Sequence, residues 1–144
     1  MIPGFGANGL LPEGVHHATL EEFEQRFAYF DVSDRRFRLF DKLRELYHQA
    51  RGSGIVRRIL VGGSFVTSKP EPNDFDCVLV LDSAVRGNDL RPSEYNLASR
   101  HMARHLFGGD VIPVVENSID HHRYMDLFQS TRGKDRVGIV EIEL

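Results

Sequence analysis

The chain is short of several things, and each shortage removes a class of explanation. It holds one cysteine in 144 residues, so no disulfide can form within it, and a reducing cytoplasm is the expected compartment. No stretch approaches the run of about 18 apolar residues that a membrane span needs, so no membrane association is expected. The opening residues, MIPGFGANGLLPEG, contain no basic residue, and the first one is Arg26. With neither a basic n-region nor an apolar h-region, no secretory signal is expected. Charge of one sign is scarce too. The 18 Lys and Arg against 21 Asp and Glu give a net charge of −3, which argues against a cationic coat for nucleic acid and leaves room only for a local basic patch. Internal repeats and low-complexity tracts are missing.

What is present reads as one globular domain over residues 1–144. Hydrophobic residues make up 41% and charged residues 27%, an ordinary balance for a packed core. Glycines and prolines mark residues 1–14 as an irregular leader. Thr19-Leu20-Glu21-Glu22 has the spacing of a capping box and predicts a short helix to about Phe27. A longer helix is expected from about Ser33 to Arg51, with Phe37, Phe40, Leu43, Tyr47 and Ala50 inward, an Asp34–Arg38 pair outward, and Gly52 and Gly54 as its stop. Strands follow at Ile55–Val61 and Asp74–Leu81. The second is nearly continuous in apolar residues and should be covered on both faces. Pro92 or Ser93 opens a helix to about Phe107, with Tyr95, Ala98, Met102 and Leu106 inward. A third strand, Asp110–Val115, carries Pro113 and is an edge candidate. A helix near His121–Gln129 and a strand Val137–Leu144 close the chain. The expected class is α/β (α+β), with a mixed sheet of about four strands. Residues 1–54 supply the leader and helices, and residues 55–144 supply the core.

The informative constellation is Gly62-Gly63-Ser64, nine further residues, then Asp74-Phe75-Asp76. Two residues apart on a strand, Asp74 and Asp76 face one side, and their charges repel unless a cation neutralises them. An oxygen-only ligand set suits Mg²⁺ or Mn²⁺. Glycine lets the backbone approach a phosphate closely, and Ser64 can donate a hydrogen bond to it. Lys69, between the two motifs, can reach a β- or γ-phosphate as a point charge or can be a solvated loop lysine. A lone Asp-x-Asp or Gly-Gly-Ser turn is common and usually structural. Joined across consecutive strands, they point to a nucleoside triphosphate and its metals.

The segment LVGGSFVTSKPEPNDFDCVLV resembles the signature of the polymerase-β-like nucleotidyltransferase superfamily. The likeness extends to small stand-alone bacterial members, through Leu11-Pro12-Glu13-Gly14-Val15-His16 and Thr19-Leu20-Glu21-Glu22-Phe23, and covers residues 11–81 well. The resemblance implies a mixed sheet whose first two strands carry Gly63, Ser64, Asp74 and Asp76. It implies two divalent ions on those aspartates and on a third carboxylate. Asp110 stands where the family pattern places it, ahead of Glu116, Asp120, Glu141 and Glu143. The implied reaction moves a nucleoside monophosphate from a triphosphate such as ATP to a hydroxyl of a protein, an RNA such as tRNA, or a small molecule. A toxin–antitoxin or defence component fits that group. The alternative is a non-enzymatic nucleotide-binding or antitoxin-like regulatory module of the same fold.

Other residues carry blander readings. His101 and His105 have zinc-ligand spacing, but without a third local ligand they read as a surface pair beside Arg100 and Arg104, on a solvated or phosphate-facing side. His16 is expected to bond the backbone. Cys77 should point away from the carboxylates as a small core residue. One of Arg57 and Arg58 should mark a sheet edge, Glu141 should lie on a solvated face, and Arg132, Lys134 and Arg136 form a basic turn.

Overall fold

The computed structural model describes residues 1–133 and 135–144, so the Lys134 part of the basic turn lies outside the described residues. The chain runs β1 (Gly14–Ala18), α1 (Leu20–Phe27), α2 (Arg35–Ser53), β2 (Val56–Gly62), a 3₁₀ turn (Gly63–Val66), β3 (Asp76–Leu81), α3 (Pro92–Ala98), α4 (Arg100–Phe107), β4 (Asp110–Val115), α5 (Ile119–Phe128) and β5 (Gly138–Ile142). The five strands form one mixed sheet in the order β1-β5-β2-β3-β4. β1 is parallel to β5 and β3 to β4, while β2 is antiparallel to both its neighbours.

Alternation along the strands divides the core in two. Ile59, Val61, Cys77, Leu79, Val140 and Ile142 face the helices α1–α4 and meet Phe23, Phe27, Phe40, Leu43 and Phe107. Leu60, Val78, Val80, Ile112, Val114 and Ile139 face the other way, against Tyr124, Met125 and Phe128 of α5. β3 is therefore covered on both faces, as its apolar run predicts. Each fully buried Leu or Phe contributes roughly 1.5–3 kcal/mol. Among the described residues no helix is long and apolar enough to cross a membrane.

Several expectations need correction. The sheet has five strands, not about four, because Gly14–Ala18 pairs with β5. That segment carries two histidines and no apolar run, so it gives no strand signal of its own. The helix expected over 92–107 is two helices. Ser99 leaves the helical region at ψ 115° and caps α4 through the Met102 N–H. The break shifts the phase, so Leu97, Ala103 and Phe107 are buried, while Tyr95 and Leu106 are 52% and 39% exposed. β3 begins at Asp76, leaving Asp74 just ahead of it. β2 is interior rather than an edge. Arg58 is accommodated there because its Nε and Nη2 bond Glu141 Oε1 at 2.9 and 2.6 Å, so Glu141 is paired rather than merely solvated.

Other expectations hold. Thr19 and Glu22 form the capping box. Asp34 and Arg38 pair at 3.2 Å, and Gly54 caps α2 in the left-handed region. The His16 ring bonds the Pro12 carbonyl at 2.7 Å. Pro113 sits on an edge strand. Cys77 is fully buried on the face opposite Asp76, and burial raises its thiol pKa.

On α2 the inward stripe starts at Arg36, not Phe37. Arg36 is 0% exposed and Phe37 is 37% exposed. The guanidinium has five N–H donors and meets five carbonyls. They belong to Phe27 (3.0 Å), Phe65 (2.7 Å), Ser64 (3.5 Å), Thr67 (2.7 Å) and Lys69 (2.6 and 3.1 Å). The Phe30 ring lies 3.9 Å from its central carbon, a cation–π contact. Burial lowers its pKa to about 10, so it stays charged at neutral pH. Arg36 thus ties the end of α1 to the 3₁₀ turn and the loop after it. Arg36→Met leaves those carbonyls without donors, and a loss of about 3 kcal/mol or more is expected in urea unfolding. Arg36→Lys recovers only part of it, since an ammonium offers three donors from one point. A loss under about 1 kcal/mol in Arg36→Met would refute the clamp.

Candidate active site

The sheet brings the acidic residues of two separate motifs to one place. In the parallel β3–β4 ladder Asp76 is the partner of Asp110, and the Asp110 N–H bonds the Phe75 carbonyl at 2.9 Å. In the antiparallel β2–β3 ladder Asp76 is the partner of Gly62. By the two-residue period, Asp76 shares the face of Val78 and Val80, and Asp110 that of Ile112. Both carboxylates therefore stand on the α5 side, at the end of the sheet where the 3₁₀ turn begins.

Gly63 follows with φ +71°, a left-handed conformation that suits glycine, and a Cβ there would overlap the Asp76 carboxylate. A glycine is thus required twice, by the backbone angle and by the close carboxylate. At Gly62 a Cβ would run into the Phe128 ring, which lies flush on the strand. Ser64 is half-buried in the first turn of the 3₁₀ segment.

An open groove runs over these residues. One part, of about 360 Å³, is lined by Gly63, Asp76, Arg100, Asp110, Tyr124 and Phe128, among others. A second, of about 220 Å³, shares Gly63, Phe128 and Ser130 with the first and continues past Ser64 and Thr67 to Gly138. Lys69 is exposed, and its backbone carbonyl is the part Arg36 holds. Its side chain is not part of the groove wall among the described residues. His101 and His105 are exposed.

The electrostatics are those of crowded negative charge. Burial, then Asp74, then Asp110 raise the Asp76 pKa to about 6, against partial relief from Arg104 and Arg100. The two arginines come from α4. Arg100 Nε and Nη2 bond the two oxygens of Asp110, each at 2.9 Å, and Arg104 Nη1 lies 3.7 Å from Asp74 Oδ2. Sequence reading left Arg100 and Arg104 on a solvated or phosphate-facing side and missed both pairs. The signal was their spacing of four, which puts two cations on one helix face next to the strand that Asp110 opens.

The donor set is chemically right for a hard divalent ion: carboxylate oxygens alone, with one carboxyl short of positive charge. The side chains are not drawn into one shell. Among the described residues no group of three or more His, Cys, Asp or Glu is arranged to hold a metal ion. Asp110 is turned into the Arg100 fork instead. The fit is therefore one of composition and proximity, and it needs Asp110 to exchange its partner.

The raised Asp76 pKa has a definite sign in stability. The folded state holds its proton up to about pH 6, and the unfolded state releases it near pH 4. Stability therefore falls as pH rises through that window. With Asp76 only partly buried, the effect is on the order of 1–2 kcal/mol. Asp76→Asn should accordingly be more stable than the parent by about that amount at pH 7.5 and equal to it near pH 3.5. Urea titrations at the two pH values decide it, and a variant no more stable at pH 7.5 would contradict the crowding.

Neither a curated protein nor a solved structure matches the chain. A family model does, over residues 3–143, and so spans both the groove and the β1 strand that sequence patterning missed. On that match the chain belongs to the family of unknown function DUF6932.

Proposed function

We propose that the protein is a Mg²⁺- or Mn²⁺-dependent nucleotidyltransferase of the polymerase-β-like type. It would transfer a nucleoside monophosphate from a triphosphate such as ATP to an acceptor hydroxyl, with release of pyrophosphate. The observation that carries the reading is the register that pairs Asp76 with Asp110 on one side and with Gly62 on the other. That register sets two acidic residues beside a glycine-serine turn at the floor of a groove, and Asp74 joins them from just ahead of β3, its charge acting on Asp76. In this reading Asp74, Asp76 and Asp110 hold the metal. Gly62 and Gly63 let the phosphates approach the backbone, and Ser64 donates its hydroxyl to a phosphate oxygen. Lys69, whose side chain lies outside the groove wall, would have to swing in to meet a phosphate and has a lesser part. Divalent ions bound there supply the charge that lowers the acceptor's pKa and steadies the leaving pyrophosphate. Phe128 and Tyr124 form the apolar wall of the groove. The acceptor is a hydroxyl of a partner protein, an RNA such as tRNA, or a small molecule, in keeping with a toxin–antitoxin or defence role.

A second reading is favoured by the Arg100–Asp110 fork. A carboxylate held at both oxygens by an arginine is what a non-catalytic nucleotide-binding or antitoxin-like module would retain. Incubation with each of four labelled triphosphates, Mg²⁺ or Mn²⁺, and cell lysate separates the two. A labelled product is expected, and its absence with all four, while nucleotide still binds, favours the module. Within the enzyme reading, Asp110→Ala should leave Mg²⁺-triphosphate affinity within about tenfold, or ~1.4 kcal/mol, while turnover falls roughly a hundredfold or more. Equal losses in both would remove Asp110 from the metal. Ser64→Ala should weaken triphosphate binding by roughly 1–3 kcal/mol and monophosphate binding by less. Calorimetry with both ligands checks this, and equal losses would place Ser64 away from the β- and γ-phosphates.

A further inference from the structure

The arginines that hold the carboxylates have the right shape for phosphate. Arg100 and Arg104 are four apart on α4 and leave the same face of the helix. Arg100 grips Asp110 through two parallel bonds of 2.9 Å, and Arg104 stands 3.7 Å from Asp74. Their side chains remain 52% and 57% exposed, so packing fixes neither, and each can swing to a new partner within reach. Arg100 already lines the groove with Asp76 and Gly63. A guanidinium fork fits two phosphate oxygens as well as two carboxylate oxygens.

Charge balance points the same way. Three carboxylates and two guanidinia leave the site at −3 + 2 = −1, counting Asp74, Asp76 and Asp110 against Arg100 and Arg104. Two divalent ions with a triphosphate of about −4 add nothing net. The partners can therefore be exchanged without leaving a new uncompensated charge. Metal would take the carboxylates, and the released arginines would take the phosphates.

Resting on the nucleotidyltransferase reading, we propose that Arg100 and Arg104 are the triphosphate-binding side chains, stored on the acidic residues until metal and nucleotide arrive together. Metal alone must break the arginine pairs, and nucleotide alone must do the same. Together each frees the site of the other, so the two ligands bind with positive coupling, and the coupling is reciprocal. Arg100 therefore competes with metal and assists nucleotide, two effects of opposite sign that a purely structural residue would not show.

The test is equilibrium binding on the full chain, by calorimetry. The probes are Mn²⁺ alone and the Mg²⁺ complexes of the four non-hydrolysable α,β-methylene nucleoside triphosphates. Arg100→Ala should bind Mn²⁺ alone at least about threefold more tightly than the parent, and the Mg²⁺-triphosphate analogue roughly tenfold more weakly. Arg104→Ala, which acts through Asp74 rather than Asp110, should shift both in the same opposed directions by less. It also serves if Arg100→Ala does not fold. Parent protein that binds both probes, with variants that shift both affinities the same way or neither, overturns this inference and leaves the nucleotidyltransferase reading standing. Parent protein that takes up neither probe overturns that reading and this inference with it.

Discussion

The site depends on one buried cation. Among the described residues Arg36 has no carboxylate partner. Its charge is spread over five backbone carbonyls, four of them in the stretch from Ser64 to Lys69. The fifth, on Phe27, ends α1. Burying a guanidinium is costly unless every donor is used, and here five donors find five acceptors. That completeness fixes the path of a loop which has two prolines and little regular structure to hold it. The loop in turn leaves β2 in the one direction that puts Gly63 against Asp76. An apolar side chain in its place would leave those carbonyls without their common anchor.

Two electrostatic arrangements of different kinds therefore lie on either side of the same turn. Beneath it a positive charge is fully neutralised by dipoles and locked. Above it, three carboxylates share two half-exposed arginines and remain one charge short. The first is a structural device, because every group in it is satisfied and buried. The second is poised to change partners, because its arginines are more than half exposed and Asp76 keeps its proton to about pH 6. Rigid support under an under-compensated cluster is what a site for a charged ligand requires.

Much of this was legible in the sequence, and the exceptions have physical causes. The capping box, the αL glycine, the apolar β3 and the Asp110–Val115 strand follow from local rules, and local rules suffice where the neighbours agree with them. Asp110 could be proposed from its place at the head of a strand, but its pairing with Asp76 is a register between strands 34 positions apart, which no local pattern carries. Arg36 was hidden by its own chemistry. The spacing 36, 40, 43, 47, 50 is a regular inward stripe, and hydropathy finds every position of it but the first, where it prefers Phe37. The split at Ser99 was hidden because the apolar pattern runs on through the serine, and only its side-chain cap to the Met102 N–H shows the break. β1 was invisible because its stability comes from β5, which lies about 120 residues further on.

The two faces of the sheet differ in a way that bears on the proposed chemistry. Four helices cover one face and bury most of the aromatic core. On the other, α5 alone does the covering, and its last residue, Phe128, rests on Gly62. The groove is therefore bounded on one side by strand residues set in the sheet and on the other by the end of a ten-residue helix. The chain beyond that helix is held by a few contacts: Arg136 reaches Asp126 and Ser130 nearby and Glu13 at the start of the chain, and Ser130 bridges to Arg136. Metal and phosphate contacts demand positions held within a fraction of an ångström, and strands supply that. Choice of base and acceptor demands surface that can vary without disturbing the core, and a helix end with its following loop supplies that. On the proposed function, the residues from Tyr124 to Arg136 are then where one member of the family would differ from another in what it modifies, while the Gly63–Asp76–Asp110 floor stays the same.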